Sequence, residues 1–333
     1  MKRLIIALLI TAFNLNTANA TCVDESQVYG ASLFEEQSSN VFVKSQDGSF
    51  KKLDLDLLNP LKTYTIQKLK VEDQKGYNDR YLEYYSYEHM KDFMQSVSSD
   101  LTQLGYQSSI IGKSIEGRNI YSISPVDFDP KKKTILMFGR HHGDEGTANW
   151  IIEGFLKEFL SNQALSNEFQ LVLYPMINPD GAQRKSRYNK NGHDLNRSWH
   201  KSFMNSKDEV RIIQKHLEGN FLKYNKPVVA LDMHGSHTED FLYRVSKTFS
   251  GQDFFDHQQE FINELSSFDK WQNGNFQVSN GHRNMARIQL VRDFGINGLT
   301  HETIRNISLR DDRSIDDLKN QGVGLSRVIS NLY

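Results

Sequence analysis

The sequence predicts an α/β fold: a mixed, mostly parallel central sheet with helices on both faces, plus a small β-rich N-terminal segment. Three observations predict it. From about Tyr85, short β-type runs alternate with segments whose apolar residues recur at helical spacing. Polar clusters fall directly after several of the strand-like runs, where open α/β sheets bind ligands. Before about Arg80 the chain is polar, with only short alternating runs such as Asn40-Val41-Phe42-Val43 and Tyr64-Thr65-Ile66, and Asp47-Gly48 marks a hairpin turn.

The elements follow in order. Phe93, Val97, Leu101 and Leu104 sit at helical spacing, and Gly105 can end that helix. Strands are expected at Arg118–Ile123, Thr134–Phe138, Phe169–Pro175, Pro227–Asp232 and Ile288–Val291, with a last short one near Gly298. Helices are expected at Ala148–Leu160, Asp208–Leu222, Phe254–Leu265 and Ser314–Leu332. In the first of these four, Ala148, Ile151, Ile152, Phe155, Leu156 and Phe159 form one apolar stripe.

Residues 1–20 read as a secretory signal peptide. Lys2 and Arg3 precede the apolar run Leu4 to Phe13, and Ala18-Asn19-Ala20 supplies an A-x-A cleavage site. Residues 21–84 are expected to form a small accessory segment and 85–333 the main domain. The expected product is exported, periplasmic or secreted. No later apolar stretch reaches membrane-spanning length, so the mature chain is expected to be soluble. Its oligomeric state is not legible.

Composition narrows the chemistry. With 40 Lys+Arg against 41 Asp+Glu, the formal net charge is -1, which gives no general pull toward nucleic acid or anionic lipid. A single cysteine, Cys22, allows neither an intramolecular disulfide nor a cysteine-built zinc site, so the 11 histidines carry any transition-metal reading. Gly112-Lys113-Ser114 lacks the earlier glycine of a phosphate loop, because position 107 is Gln107. No H-E-x-x-H and no G-x-G-x-x-G occurs.

Four polar clusters remain. Gly139-Arg140-His141-His142-Gly143-Asp144-Glu145-Gly146 offers an imidazole and a carboxylate three apart in two registers, His141 with Asp144 or His142 with Glu145. Asp232-Met233-His234-Gly235-Ser236-His237 adds a histidine at another strand end. A His-Glu-His set leaves one zinc position open, the mark of a catalytic site. Between them, Asn178-Pro179-Asp180-Gly181 is turn chemistry. The arginines after it include Arg187, and Asn196 beside Arg197 suits a carboxylate. The fourth cluster, Leu299-Thr300-His301-Glu302-Thr303, holds a carboxylate able to take a proton from water.

Taken in order, these motifs resemble the zinc carboxypeptidases of the M14 (carboxypeptidase A-like) family. The resemblance covers about Tyr85 to Tyr333. It runs from Ile111-Gly112-Lys113-Ser114-Ile115-Glu116-Gly117-Arg118 through His142-Gly143-Asp144-Glu145, Asn178-Pro179-Asp180-Gly181, Arg187 and Asp194-Leu195-Asn196-Arg197 to His234 and Glu302. Trp150, Gly154-Phe155-Leu156 and Asp232-Met233-His234-Gly235 are closer to the cytosolic-carboxypeptidase-like branch, from whose name the export signal departs.

The resemblance implies one zinc ion per chain on His142, Glu145 and His234, with His141, Asp144 and His237 outside the ligand set. It implies that Arg187 polarises the scissile carbonyl and that Asn196 and Arg197 hold the substrate's terminal carboxylate. It implies that Glu302 acts as general base and then general acid. The reaction implied is hydrolysis of the C-terminal peptide bond. One departure stands out: the family carries a tyrosine shortly before the glutamate, but here the only tyrosine between His234 and Glu302 is Tyr243, too early in the order. His282 is a candidate replacement. Arg287, near where the family's side-chain pocket is read, favours an acidic terminal residue, with Arg283 close by. Three rival readings stand beside this one. They are a periplasmic enzyme trimming peptidoglycan stem peptides, a deacylase of acyl-amino acids, and an inert peptide-binding module.

Overall fold

The computed structural model describes residues 85–223, 226–305 and 313–333, together with the backbone of five short strands before Tyr85. The chain divides into two compact units, Met1–Tyr84 with Asn306–Ser314, and Tyr85–Arg305 with Ile315–Tyr333. In the first unit, β1 (Arg3–Leu4), β2 (Leu33–Glu35), β3 (Val41–Lys44), β4 (Phe50–Lys52) and β5 (Tyr64–Lys68) form one sheet in the order β1-β5-β2-β3-β4. β3 and β4 pair antiparallel, flanking the expected turn. That turn at Asp47-Gly48, Cys22 and, apart from the backbone of β1, the expected export segment lie outside the described residues.

The second unit opens with α1 (Tyr87–Ser96) and α2 (Ser98–Gln103). The apolar spacing predicts one continuous helix here. The chain instead breaks at Val97, whose ψ is 2°, although Val97 and Leu101 stay buried on one side. Gly105, at φ 74°, ends the pair.

An eight-stranded sheet follows. Its strands are β6 (Tyr106–Lys113), β7 (Asn119–Pro125), β8 (Lys133–Gly139), β9 (Phe169–Tyr174), β10 (Val229–Ser236), β11 (Phe241–Arg244), β12 (Phe276–Val278) and β13 (Gly298–Ile304). Their spatial order is β12-β11-β13-β10-β8-β9-β7-β6. The four central strands, β13, β10, β8 and β9, run parallel, while β7, β6 and β11 join antiparallel. β8, β9 and β10 are buried almost throughout, as parallel strands covered on both faces must be.

Helices supply that cover. α3 (Thr147–Ser161) packs on the sheet and on the C-terminal helix α10 (Ile315–Leu332). On the other face, Val210, Ile213 and Leu217 of α6 (Asp208–Asn220) meet Leu136, Phe138, Val172 and Tyr174. Short α4 (Gln163–Glu168) and α5 (Pro179–Arg184) flank β9. Beyond β11 come α7 (Lys247–Ser250) and α8 (Gln252–Phe268). Among the described residues, no helix is long and apolar enough to cross a membrane.

Two expectations are corrected. Ile288–Val291 is not a strand but the middle of helix α9 (Ala286–Phe294), which Gly295 closes at φ 61°. Ala286 and Leu290 pack into the main core while Ile288 and Val291 pack against Val245. A helix buried on two sides reads as a continuous apolar run, which periodicity cannot tell from a strand. The strand expected to stop at Asp232 continues to Ser236, because β13 pairs Asp232 to Ser236 with Thr300 to Ile304. Its polar residues are therefore strand residues.

Candidate metal and active site

The parallel register of β10 on β13 sets the site. His234 is opposite Glu302 and Asp232 opposite Thr300. In the neighbouring antiparallel pair, Phe241 is opposite Glu302 and Tyr243 opposite Thr300. Residues two apart on a strand share a face, so Asp232, His234, Thr300, Glu302, Phe241 and Tyr243 lie on one side of the sheet.

The loop after β8 reaches the same place. Arg140 adopts φ 64°, and its buried side chain donates to the Gly143 carbonyl (2.9 Å) and to Asn149 Oδ1 (3.0 Å), folding residues 140–149 into a tight turn. A Cβ on Gly143 would lie 2.0 Å from the Gly181 carbonyl carbon, so this loop meets α5 backbone to backbone. Asn178 caps α5 by accepting from Gly181 N (2.9 Å), and Pro179 occupies its first turn. The Asn-Pro-Asp-Gly run is thus a capped helix start. Its Asp180 accepts from Ser114 Oγ, Glu116 N and Arg118 Nη1, which explains what the Ser114–Arg118 segment does structurally.

His142, Glu145 and His234 converge. His142 Nδ1 lies 2.8 Å from Glu145 Oε1, His234 Nδ1 lies 2.7 Å from Glu145 Oε2, and the two ring nitrogens are 3.1 Å apart. All three residues are buried. Burial opposes charge on His234, yet Asp232 and Glu145 on either side hold its pKa well above the ordinary imidazole value. His142 is raised against burial by Glu145 and Asp194. Burial would raise the Glu145 carboxyl, but the two imidazoles hold it well below its usual range. The centre of this triad therefore favours positive charge. Two imidazoles and a carboxylate, buried and aimed at one point, fit zinc.

Surrounding groups hold these donors. His142 Nε2 contacts Asp194 Oδ1 (3.1 Å), and the other Asp194 oxygen accepts from Arg187 Nε and Nη2 (3.1 and 2.8 Å). Arg187 Nη1 lies 3.2 Å from His142 Nδ1 and 3.8 Å from Glu145 Oε1. Arg305, which the motifs did not single out, donates to the Gly235 carbonyl, to Asp144 Oδ2 (2.9 Å) and to Glu145 Oε1 (3.4 Å). A second group with metal-binding reach, His141, Asp232 and His234, shares His234 with the first.

An open pocket of about 360 Å³ lies over these residues. Arg187, Asn196, Arg197, His282, Arg287 and Glu302 all reach it, so the structure brings together every site residue expected from the motifs. Burial pushes the Glu302 carboxyl up to about 7, with Glu145 adding to the rise against His234, His142 and Arg305. Arg197 is exposed, its Nη1 donating to the Asn196 carbonyl (2.8 Å). Asn196 differs from the expectation of a carboxylate clamp. Its amide nitrogen faces Asp232 Oδ2 (3.0 Å) and His234 Nε2 (2.9 Å), and its oxygen accepts from Ala286 N (2.9 Å). The amide is thus engaged by the protein's interior, while both Asn196 and Arg197 line the pocket.

Arg287 is 1% exposed at the pocket wall. Nε donates to Thr300 Oγ1 (3.2 Å) and Nη1 to the Ser279 carbonyl (3.0 Å), while Nη2 is buried without a hydrogen-bond partner. Burial lowers its pKa to about 10. Tyr243 lies beside it, with its ring 5.8 Å from the guanidinium carbon. Burial raises the Tyr243 phenol, and the Glu302 charge raises it further. Chain order alone sets Tyr243 aside. Strand order, with β11 next to β13, puts it in the pocket.

Residues 90–236 match the zinc carboxypeptidase family; Arg287 and Glu302 lie beyond the matched stretch. Cytosolic carboxypeptidase 2 of Mus musculus is 26% identical over 262 residues, 72% of this chain and 30% of the relative. Carboxypeptidase SOL1 of Arabidopsis thaliana is 32% identical over 139 residues, 38% of this chain and 26% of the relative. The chain thus spans about 30% of the length of the first of these relatives. Among solved structures, a metallo-carboxypeptidase from Burkholderia cenocepacia superposes with a TM-score of 0.63 at 19% identity, covering 74% of this chain and 69% of that one. One from Pseudomonas aeruginosa gives 0.62 at 18% identity, covering 91% and 80%. These likenesses show the shared fold.

Proposed function

The chain carries a zinc carboxypeptidase domain of the M14 family, and from that premise we propose that it removes C-terminal residues, preferably acidic ones, from peptides. The observation that carries this reading is the convergence of His142, Glu145 and His234 on one point, with Glu302 paired to His234 across the sheet.

His142, Glu145 and His234 would hold zinc, which would supply Lewis acidity for activating water at neutral pH and polarising a carbonyl. The chain's own groups do the rest. Arg197 receives the substrate's terminal carboxylate at the exposed rim, in the bidentate manner guanidinium favours. Arg187 meets the scissile carbonyl oxygen, where fixed positive charge stabilises the developing oxyanion. Glu302 takes a proton at its carboxylate as water attacks and returns it to the leaving amine.

Specificity follows from Arg287. A buried cation whose Nη2 has no partner is costly unless a ligand supplies one. A glutamate or aspartate side chain at the substrate's terminus answers that need. His282, exposed on the loop before α9, lines the pocket. Export rests on the Lys2–Ala20 segment, and N-terminal sequencing of the mature protein tests it.

The test of function is a peptide ladder read by mass spectrometry. Sequential loss of terminal residues, abolished by a chelator and fastest for a terminal glutamate, supports the proposal. A zinc-loaded protein inert to the whole panel overturns it, and a preference for terminal lysine overturns the specificity.

A further inference from the structure

We propose that Trp199, by orienting His141 as a donor, holds the Asp232 carboxylate in place as acceptor of the His234 Nε2–H, so that His234 offers the lone pair of Nδ1 to the metal. The inference rests on reading His234 as a metal ligand.

The chain of contacts is continuous and buried. Trp199 Nε1 lies 3.0 Å from His141 Nε2. His141 Nδ1 lies 2.7 Å from Asp232 Oδ1, and the same oxygen lies 3.0 Å from His234 Nε2. No member is more than 2% exposed. The direction of this chain follows from donor chemistry. An indole N–H only donates, so His141 Nε2 accepts. A neutral imidazole with an acceptor at Nε2 carries its proton on Nδ1, and His141 therefore donates to Asp232. Asp232 then acts purely as an acceptor, from His141 and from the Asn196 amide.

Asp232, an ionised carboxylate and so an acceptor only, decides the proton on His234. Two tautomers compete. In one, Nε2 accepts from the Asn196 amide nitrogen 2.9 Å away, and Nδ1 carries a proton into the metal corner. In the other, Nε2–H donates to Asp232 and Nδ1 is free for the metal. An ionised carboxylate is the stronger partner, so the second prevails. Reversing His141 would set its Nε2–H against the indole N–H and its Nδ1 lone pair against Asp232. The indole, two residues removed from the ligand, thereby keeps His141 donating to the carboxylate that the metal-ready ring depends on. His141, Asp232 and His234 are thus a hydrogen-bonded relay and not a second metal site.

The experiment uses the full chain with histidine labelled in ¹⁵N, loaded with zinc, and zinc affinity measured against a chromophoric chelator. The relay expects one zinc per chain, with the His141 proton on Nδ1 and the His234 proton on Nε2. Trp199→Phe keeps a buried aromatic ring but loses the donor, and zinc binding weakens about ten- to a hundredfold, the usual cost of losing an outer-sphere partner. Trp150→Phe, which removes a buried indole elsewhere, leaves zinc affinity unchanged. A His141 proton found on Nε2, two zinc ions per chain, or wild-type affinity in Trp199→Phe overturns the relay. If Trp199→Phe does not fold, the wild-type nitrogen spectrum decides alone. A wild-type chain that binds no zinc overturns the ligand reading as well, whereas zinc binding indifferent to Trp199 overturns the relay only.

Discussion

His234 and Glu302 are register partners on adjacent parallel strands. The strand pairing alone holds the proposed base beside a proposed ligand, with no loop conformation needed to bring them together. Rigid elements position reactive groups better than loops do.

Glu302→Gln isolates the proton-transfer role. The amide keeps the size of the side chain but cannot take a proton. Zinc content, measured by mass spectrometry of the metal, should equal wild type, while kcat falls by about 10²–10⁴, the span general acid–base catalysis provides. Turnover near the wild-type rate would remove Glu302 from the chemistry.

The same carboxyl gives a pH signature in the zinc-free protein. Its folded pKa of about 7 stands above the ordinary 4.5 because burial disfavours the charge. The folded state therefore holds the proton more tightly than the unfolded one. This contribution to stability is fully present below pH 4.5 and is lost as pH rises to 7. Glu302→Gln has no such loss. The difference in melting temperature, variant minus wild type, should open by a few degrees between pH 4.5 and 7 and stay level above. A difference that is flat across this range would contradict the raised pKa.

The polar clusters of this site were legible because they fall toward the carboxyl ends of strands, while the choice of His142 with Glu145 over His141 with Asp144 came from the family resemblance. His142, Glu145, His234 and Glu302 each stand in a short polar run flanked by apolar strand, a contrast visible along the chain. What stayed hidden depends on strand order. Tyr243 reaches the pocket because β11 lies next to β13, and Arg305 reaches Asp144 because β13 lies next to β10. The inward role of the Asn196 amide follows from its neighbours Asp232 and Ala286, 36 and 90 residues away in the chain. The helical state of Ile288–Val291 was obscured by burial on two sides.

Arg287 is the expected determinant of side-chain preference. Arg287→Met removes the charge and keeps much of the volume. For peptides ending in glutamate, kcat/KM should fall by about 10²-fold, in line with losing a charged hydrogen-bonding partner. Peptides ending in alanine should be cleaved at an unchanged or higher rate, since no buried cation remains unpaired. Equal losses on both peptides would make Arg287 a structural residue.

Arg305 joins the end of β13 to the loop that carries Glu145. Its ion pair with Asp144 is almost fully buried, 5% and 1% exposed at the two side chains. Breaking a buried pair from one side costs about 3–5 kcal/mol, because the other charge is left behind. Arg305→Met should therefore lower the melting temperature markedly and weaken zinc binding through the lost contact to Glu145. The double variant Arg305→Met with Asp144→Asn should recover part of the stability, since no charge is then stranded, but not the zinc affinity. Full recovery of both would show that Arg305 acts on the fold alone.

Gly143 tests how closely the metal loop must approach α5. A methyl group there meets the Gly181 and Ala182 backbone at 2.0 to 2.5 Å, and backbone cannot swing aside as a side chain can. Gly143→Ala should push the loop away from α5, displacing His142 and Glu145 together. Stability should drop by more than the roughly 1–3 kcal/mol typical of overpacking, and zinc affinity should fall with it. Gly192→Ala is the comparison: its φ of 76° strains an alanine, yet nothing lies within 4 Å of the added carbon. That variant should lose about 1 kcal/mol and keep its zinc affinity. If Gly143→Ala behaves like Gly192→Ala in both measurements, the backbone contact between the two loops does not set the position of the ligands.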